Sequence, residues 1–507
     1  MVCRIHCAAI TGIDVLPVCV ETDISNGLPS FDMVGLLSSD IKESRERVRT
    51  AIKNSGFLLP PKRITINFSP GNIRKTGTYF DLPVAVSILY ALGVLQKSVE
   101  DKMFVGELSL DGRVVPVNGI LPIVLHAAEK GIRQCFVPKE NAGECRWVQT
   151  VQVIGIENLN QLVMLLETEQ REFTEFIAMQ FRETDEDVSE SRDFKNIKGQ
   201  VQARRAAEIA AAGMHNLLLM GPPGTGKTMI AKAAATILPD MSKEETIEIS
   251  KIQSIAGNLK GNLANQRPFR NPHHTATVVA FTGGGKNPAP GELTLAHGGI
   301  LYMDEFLEFS RGVMEALRQP LEDREIVISR AGGTFRFPAD FLLLGSMNPC
   351  RCGYYPDRNK CNCTEQEVKK YLEKISGPIL DRIDLCVHMN PVSFWDIRDE
   401  QEQESSDEIR KRVNRAVSIQ RERYQKEKFC YNSQLQGNFI EKYCHLKKNE
   451  ENLIREVYEK MELSVRAYEK ILKVARTIAD LKEQENITTK ELAEAVGYRV
   501  AQGRGIV

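Results

Sequence analysis

Four apolar residues, Leu217-Leu218-Leu219-Met220, run without a polar break into a glycine-rich turn, which leads into the helix-forming Met229-Ile230-Ala231-Lys232-Ala233-Ala234-Ala235. An apolar run of that length bounded by glycines predicts a buried strand, followed by a turn and a helix. Gly299-Ile300-Leu301-Tyr302-Met303 and Phe341-Leu342-Leu343-Leu344-Gly345-Ser346-Met347 repeat the strand pattern, so residues 194–391 predict an α/β domain. Residues 1–167 alternate differently: Val15–Asp23 and Arg63–Phe68 predict strands, Ser39–Asn54 and Asp81–Leu92 helices, and Gly106–Val114 a hairpin on an Asp-Gly turn, which together make an α+β domain. From residue 392 to residue 507 the chain turns helical and charged. Asp407–Lys428 has the composition of a long exposed helix, Val465 to Leu481 carries apolar residues at helical spacing, and Thr488 with Glu491 caps a last helix. Between the first two domains, over residues 168–193, the pattern dissolves into the acidic, aromatic-poor run Arg182–Asp193, which predicts a linker unable to bury enough apolar area to order itself.

A length of 507 residues agrees with about three domains. No stretch approaches the roughly 20 apolar residues of a membrane span, and Met1-Val2-Cys3-Arg4-Ile5-His6 lacks a signal-peptide core, so the expectation is a cytoplasmic protein without a membrane partner. A net charge of -1 removes any bulk-charge argument for nucleic-acid binding and leaves only local basic loops. Twelve cysteines in a reducing compartment predict mostly buried thiols rather than a disulfide framework.

The turn after the first apolar strand is Gly221-Pro222-Pro223-Gly224-Thr225-Gly226-Lys227-Thr228. Glycines let backbone N–H groups curl around an anion, Lys227 reaches the β and γ phosphates, and the Thr228 hydroxyl ligates Mg²⁺, which predicts an ATP and Mg²⁺ site. The second strand ends in Asp304-Glu305, placing Asp304 to hold the metal and Glu305 to polarise an attacking water. By position, Ile197 and Gly199 in the segment before the domain's first helix lie near the adenine.

Three features depart from a plain ATPase. An insertion from Gly257 to His297 is rich in glycine and proline, with Arg267, Arg270 and Lys286 and no acidic residue in its basic segments, which suits a phosphate-backbone contact or an oligomer-packing loop. Its His273-His274 pair lacks an evident third metal ligand, and adjacent side chains point apart in a strand. A hairpin from Glu325 to Phe337 carries Arg330 and Arg336 on its arms as further DNA candidates. Finally Cys350-x-Cys352 and Cys361-x-Cys363 offer four sulfurs that fit structural Zn²⁺, unligated thiols or a redox pair.

Over residues 3 to 155 the first domain resembles the Lon-protease-like domain of the ribosomal-protein-S5-like fold, through Phe104-Val105-Gly106-Glu107-Leu108, Gly112-Arg113-Val114-Val115-Pro116-Val117-Asn118-Gly119 and Val137-Pro138-Lys139-Glu140-Asn141. Active members use a Ser–Lys dyad. Here Tyr79 stands at the serine position, and Gly119-Ile120-Leu121-Pro122-Ile123 has no lysine, which implies a proteolytically dead domain. The chain as a whole resembles the YifB/ComM family of magnesium-chelatase-like AAA+ ATPases, carried by the Asp304-Glu305 strand, Pro272-His273-His274 and Ile478-Ala479-Asp480-Leu481. That resemblance implies a multidomain α/β protein: an S5-like α+β N-terminal domain, a P-loop AAA+ domain and a C-terminal all-α lid. It implies that Asn348 senses the γ-phosphate, that Arg382 reaches into a neighbour's ATP and that Arg466 is the second sensor arginine, although turn and surface roles are open to each. It also implies a homo-hexamer that moves on single-stranded or branched DNA in homologous recombination and uptake of transforming DNA. Metal insertion into a tetrapyrrole and ATP-driven remodelling of protein are the rival readings.

Overall fold

The computed structural model describes residues 3–167, 193–259, 261–285, 288–330, 333–393, 398 and 403–506. The predicted acidic linker, Asp193 apart, falls outside these residues, as does Lys286.

The N-terminal domain is built in the order β1 (Cys3–Thr11), β2 (Asp14–Ser25), β3 (Ser30–Val34), α1 (Ser39–Asn54), β4 (Arg63–Ser69), α2 (Asp81–Ala91), β5 (Lys102–Phe104), β6 (Glu107–Leu108), β7 (Val114–Val115), α3 (Ile120–Glu129), β8 (Gln134–Pro138), β9 (Gln152–Ile156) and α4 (Leu159–Glu167). Seven strands form one sheet in the order β3-β4-β2-β1-β5-β8-β9, while β6 and β7 pair as the predicted hairpin. In β1, Cys3, Ile5 and Cys7 are buried while Arg4 and His6 face out, the period-two alternation that fixes its register on β2. Helix α2 is buried from Asp81 to Leu89, so its one carboxylate needs a partner; Arg47 on α1 supplies it in a two-pronged ion pair at 2.9 and 3.2 Å. Burial still pushes the Asp81 carboxyl up to about 6.

In the second domain α5 (Val201–Gly213) leads into β10 (Leu217–Met220), α6 (Lys227–Ala234) and α7 (Lys243–Ile255). The strands β11 (Phe269–Arg270), β12 (Ile300–Met303), β15 (Leu342–Met347) and β16 (Leu385–His388) join β10 in a parallel sheet of order β11-β12-β15-β10-β16, and β13 (Glu325–Arg330) with β14 (Gly333–Pro338) forms the separate hairpin. Every residue of β10, β12 and β15 is buried, as a parallel sheet covered on both faces requires. The insertion is not loop throughout. Its Phe269-Arg270 adds an edge strand beside Ile300-Leu301, because the apolar face of Phe269 completes the sheet against Tyr302 with ring centroids 5.9 Å apart.

The two domains touch directly. The Gly119 N–H at the start of α3 donates to the Ser254 carbonyl of α7 at 2.9 Å, and Leu259 and Leu263 of the insertion pack on the N-terminal core. The β1–β2 turn meets the hairpin: a Cβ on Gly12 would lie 3.6 Å from the Arg336 carbonyl and 3.7 Å from the Phe335 side chain.

Helix α8 (Glu365–Leu372) lies between β15 and β16, and after the sheet come α9 (Ser406–Arg423), α10 (Lys448–Lys460), α11 (Val465–Leu481) and α12 (Thr489–Ile506). The charged helix read as exposed is instead half-embedded: Ile409, Val413, Ala416, Val417 and Gln420 fall on one stripe of α9 and are buried between α5 of the sheet domain and the rest of the helical region, Gln420 donating to the Ala212 carbonyl at 2.9 Å. On α11, Asp480 is fully buried and is held by Arg423, by Arg476 at 3.0 Å and by the Asn432 amide at 2.8 Å. His215 bonds Thr477 at 2.7 Å and Asp384 pairs with Lys470 at 3.1 Å, which ties the helical region to the sheet domain. Asp480→Ala takes the carboxylate from the buried Arg476, which keeps only the Gln484 and Glu485 carbonyls, and from the partly buried Arg423, so the helical region loses about 3 kcal/mol. The expected result is faster amide hydrogen exchange along α11 with little change in α1 or α2; unaltered protection of α11 would show that the network carries no stability.

Candidate nucleotide site

The register of the parallel strands gathers the site. Met220 lies opposite Met347, and Met303 opposite Gly345, so the turn after β10, Asp304 after β12 and Asn348 after β15 emerge at one carboxyl edge of the sheet. From Gly221 the chain wraps into α6, passing through left-handed backbone at Gly224 (φ 78°) and Gly226 (φ 89°), positions where a side chain would be strained. Backbone N–H groups at the start of α6 then point outward with the positive end of the helix dipole. Pro222, Pro223 and Thr225 complete the turn, the Thr225 hydroxyl closing it on the Pro222 carbonyl at 2.9 Å.

The Lys227 ammonium donates to the Gly221 carbonyl at 2.7 Å, the Pro222 carbonyl at 2.8 Å and the Asn348 side-chain oxygen at 3.2 Å. Burial lowers its pKa, and the nearby Asp304 carboxylate opposes that shift. The Thr228 hydroxyl donates to one Asp304 oxygen at 3.2 Å, and the other Asp304 oxygen accepts from the Ser346 hydroxyl and from the Glu305 N–H at 3.1 Å. Tyr302 lies within hydrogen-bond distance of both Thr228 (3.3 Å) and Ser346 (3.1 Å), and burial raises its pKa so that the phenol stays protonated. Two hard oxygens side by side, one anionic and oriented by neighbouring hydroxyls, are the donor set Mg²⁺ takes.

Glu305 has left-handed backbone (φ 52°), a strained conformation for a residue with a side chain. Its carboxylate is 58% exposed and lies 3.3 Å from the Nδ1 of His274. The two histidines do not point apart, because residues 272–276 form a turn rather than a strand; their rings lie 4.2 Å apart. Ile197 is buried and Gly199 has φ 62°. Beside them Gln200 donates to the carbonyls of Thr225 at 3.1 Å and Asn390 at 2.7 Å, tying this segment to the turn. Sequence reasoning missed Tyr302, Ser346, Gln200 and His274. The first two carried a signal, being the polar positions of otherwise apolar strands; the others meet their partners only in three dimensions.

Arg382 and Arg466 lie elsewhere, together. The Arg382 guanidinium donates to the Pro378 carbonyl at 2.6 Å and to the Glu322 carboxylate, while its Nε is buried with no hydrogen-bond partner among the described residues. Arg466 approaches the other oxygen of Glu322 at 3.6 Å. Both line a cavity of about 340 Å³ with Arg324, Lys470 and Lys473, and that lining includes no residue of 221–228.

Of the DNA candidates, Arg267 is corrected outright. Its side chain is 4% exposed, and its guanidinium is used by the carbonyls of Pro239 and Gly298, by Glu245 and by Tyr431, because it precedes the edge strand and points inward. Arg270 is occupied by a two-pronged pair with Glu292, both contacts 2.7 Å. Arg336 is exposed and pairs with Glu325. Arg330 is exposed near the hairpin tip and approaches the glycine turn of the insertion, 3.5 Å from where a Gly284 Cβ would stand. The four cysteines do converge: one sulfur from each of Cys350, Cys352, Cys361 and Cys363 lies within 4.8 Å of all the others.

Three family models match the chain: "Magnesium chelatase, subunit ChlI" over residues 193–397, "Subunit ChlI of Mg-chelatase" over residues 20–141 and "Magnesium chelatase, subunit ChlI C-terminal" over residues 403–499. Among curated relatives, the competence protein ComM of Haemophilus influenzae is 40% identical over 503 residues, covering 98% of this chain and 97% of its own. The YifB protein of Escherichia coli is 38% identical over 501 residues, covering 98% and 96%. The magnesium-chelatase 38 kDa subunit of Cereibacter sphaeroides is 27% identical over 174 residues, which span 31% of this chain and 52% of the subunit.

Proposed function

The chain belongs to the ComM/YifB family of magnesium-chelatase-like proteins, a family of ATPase type, and from that membership we propose that it is a ring-forming, ATP-driven motor that moves on DNA. The observation that carries the ATP half is the convergence at one sheet edge of two hydrogen-bonded pairs, Lys227 with Asn348 and Thr228 with Asp304, each at 3.2 Å. Lys227 and the turn's N–H groups bind the phosphates, Thr228 and Asp304 hold Mg²⁺, Glu305 orients water, and Asn348 reports the γ-phosphate to β15. Mg²⁺, when bound, neutralises charge developing on the β and γ phosphates.

The DNA half is supported by the competence-protein name of a relative aligned over nearly its whole length, and by the exposed Arg330 beside the insertion's glycine turn. With Arg267 and Arg270 committed to carboxylates, Arg330 is the primary phosphate contact and Arg336 the second. The N-terminal domain is read as proteolytically inert: Tyr79 is buried with its hydroxyl bonded by the Ile10 N–H at 3.1 Å, and Lys75 is buried against the Pro70 carbonyl. Forked and single-stranded DNA are expected to bind the assembled protein and raise its ATP turnover. Arg330→Ala weakens that binding evenly across sequences and lowers the salt slope by about one unit. ATP turnover indifferent to every DNA form, with Arg330→Ala silent, would sink the DNA reading and turn attention to a protein substrate.

A further inference from the structure

We propose that Cys350, Cys352, Cys361 and Cys363 hold one zinc ion, and that this metal braces the turn bearing Asn348 against the phosphate-binding loop. The sulfurs of Cys350 and Cys352 are 3.3 Å apart, those of Cys350 and Cys361 3.8 Å, and those of Cys352 and Cys361 3.5 Å. Thiolates at about 2.3 Å from a tetrahedral zinc stand about 3.8 Å from one another, so the observed spacings lie within about 0.5 Å of that around a single ion. A disulfide would draw one pair to about 2.05 Å, and all four cysteines are free. A donor set of sulfur alone excludes the hard cation Mg²⁺, and four sulfurs within 4.8 Å leave room for one ion rather than for a cluster of irons and sulfides.

The backbone around the sulfurs is arranged to keep them there. The Tyr355 N–H points at the Cys350 sulfur at 3.4 Å, the Gly353 N–H closes on the Cys350 carbonyl at 3.0 Å, and the Cys361 N–H closes on the Asp357 carbonyl at 2.8 Å. Arg358 donates to the Cys363 carbonyl at 2.8 Å and lies over the Tyr355 ring at 5.2 Å. Immediately after the last cysteine, Thr364 caps α8 through the Glu367 N–H at 3.2 Å. The site has four protein ligands and no open position, so the metal is structural.

Its position gives it a consequence. Cys350 follows Asn348 by two residues, and Gly353 (φ 92°) rests on the phosphate-binding loop, where a Cβ would lie 2.7 Å from the Cδ of Pro223 and 3.9 Å from the Asn348 side chain. Without the metal, the turn that carries Asn348 to Lys227 loses its anchor to α8. The metal assignment stands independently of the nucleotide reading; the bracing role rests on it.

The test uses the full-length protein purified without chelator under reducing conditions. Elemental analysis is expected to give about one zinc per chain, and a thiol-reactive mercurial to release it, as a closed four-thiolate site requires. Cys352→Ser, at the surface, and the paired Cys350→Ser, Cys361→Ser change are expected to empty the site. Gly353→Ala keeps all four ligands and therefore the zinc, but it pushes on Pro223 and weakens binding of fluorescent ATP roughly tenfold. Substoichiometric zinc in the wild-type protein, iron in its place, or undiminished zinc in both serine variants would overturn the metal site. Unchanged nucleotide affinity in the zinc-free serine variants would overturn the bracing role, and unchanged affinity in zinc-replete Gly353→Ala would remove Gly353 as its point of contact. A zinc-replete wild-type protein that binds no ATP would instead overturn the nucleotide reading alone.

Discussion

Glu305→Gln is expected to bind ATP and Mg²⁺ with near-native affinity and to hydrolyse ATP at least 100-fold more slowly, on the order of what a positioned general base contributes. The reason is positional. Glu305 is exposed at the end of β12, held in left-handed backbone just beyond Asp304, and contributes no oxygen to the Thr228–Asp304 pair. Exchanging its carboxylate for an amide removes the group that takes a proton from water and leaves the metal ligands intact. Lys227→Ala fails at an earlier step. Its ammonium stands in a partly buried pocket on two backbone carbonyls and Asn348, so truncation removes a cation placed for the phosphates and leaves those acceptors facing them. The loss of a charge-assisted contact weakens ATP binding roughly 10- to 100-fold. Equilibrium binding of fluorescent ATP together with phosphate release separates the two variants. Normal turnover in Glu305→Gln, or normal affinity in Lys227→Ala, would remove those residues from the site.

What was readable in the chain follows from the range of the interactions. Strand, glycine turn and helix around residues 217–234 are local, and so is the stripe of α1, whose predicted limits Ser39–Asn54 are those observed. Apolar runs gave β10, β12 and β15, and their parallel alignment then brings Lys227, Asp304 and Asn348 together without further instruction. Three kinds of feature escaped. A two-residue strand such as β11 has no period to detect and is made by its neighbour's edge. Arginines look alike in sequence: only packing distinguishes Arg267, enclosed by two carbonyls, a carboxylate and a phenol, from the exposed Arg330. Partners distant in sequence, such as His274 with Glu305 and Glu322 with both Arg382 and Arg466, meet only once the insertion, the sheet domain's own far segments and the helical region have docked.

The convergence of those last three residues leads to the second large effect. Arg382 and Arg466 share Glu322 on a cavity whose lining excludes the phosphate-binding loop of their own chain, the placement expected of arginines that serve a neighbour's ATP. If the chain closes into a ring, this face, whose lining mixes arginines and lysines with carboxylates, meets the open edge of the next subunit's sheet. Glu322 then acts as a counter-ion that is exchanged for the neighbour's γ-phosphate, which frees the terminal guanidinium nitrogen that Arg382 now commits to Glu322. Arg382→Ala is expected to bind ATP normally and to lose about 10³-fold in turnover, the scale of an arginine supplied in trans. Mixing distinguishes trans from cis action. Glu305→Gln chains keep Arg382, and Arg382→Ala chains keep Glu305, so in random mixed rings about a quarter of the pockets pair an intact Glu305 with a neighbour's intact Arg382. Two nearly inactive preparations should therefore recover activity when combined and reassembled. An Arg382 that served its own pocket would leave every pocket in the mixture with one defect, and the mixture as inactive as its components.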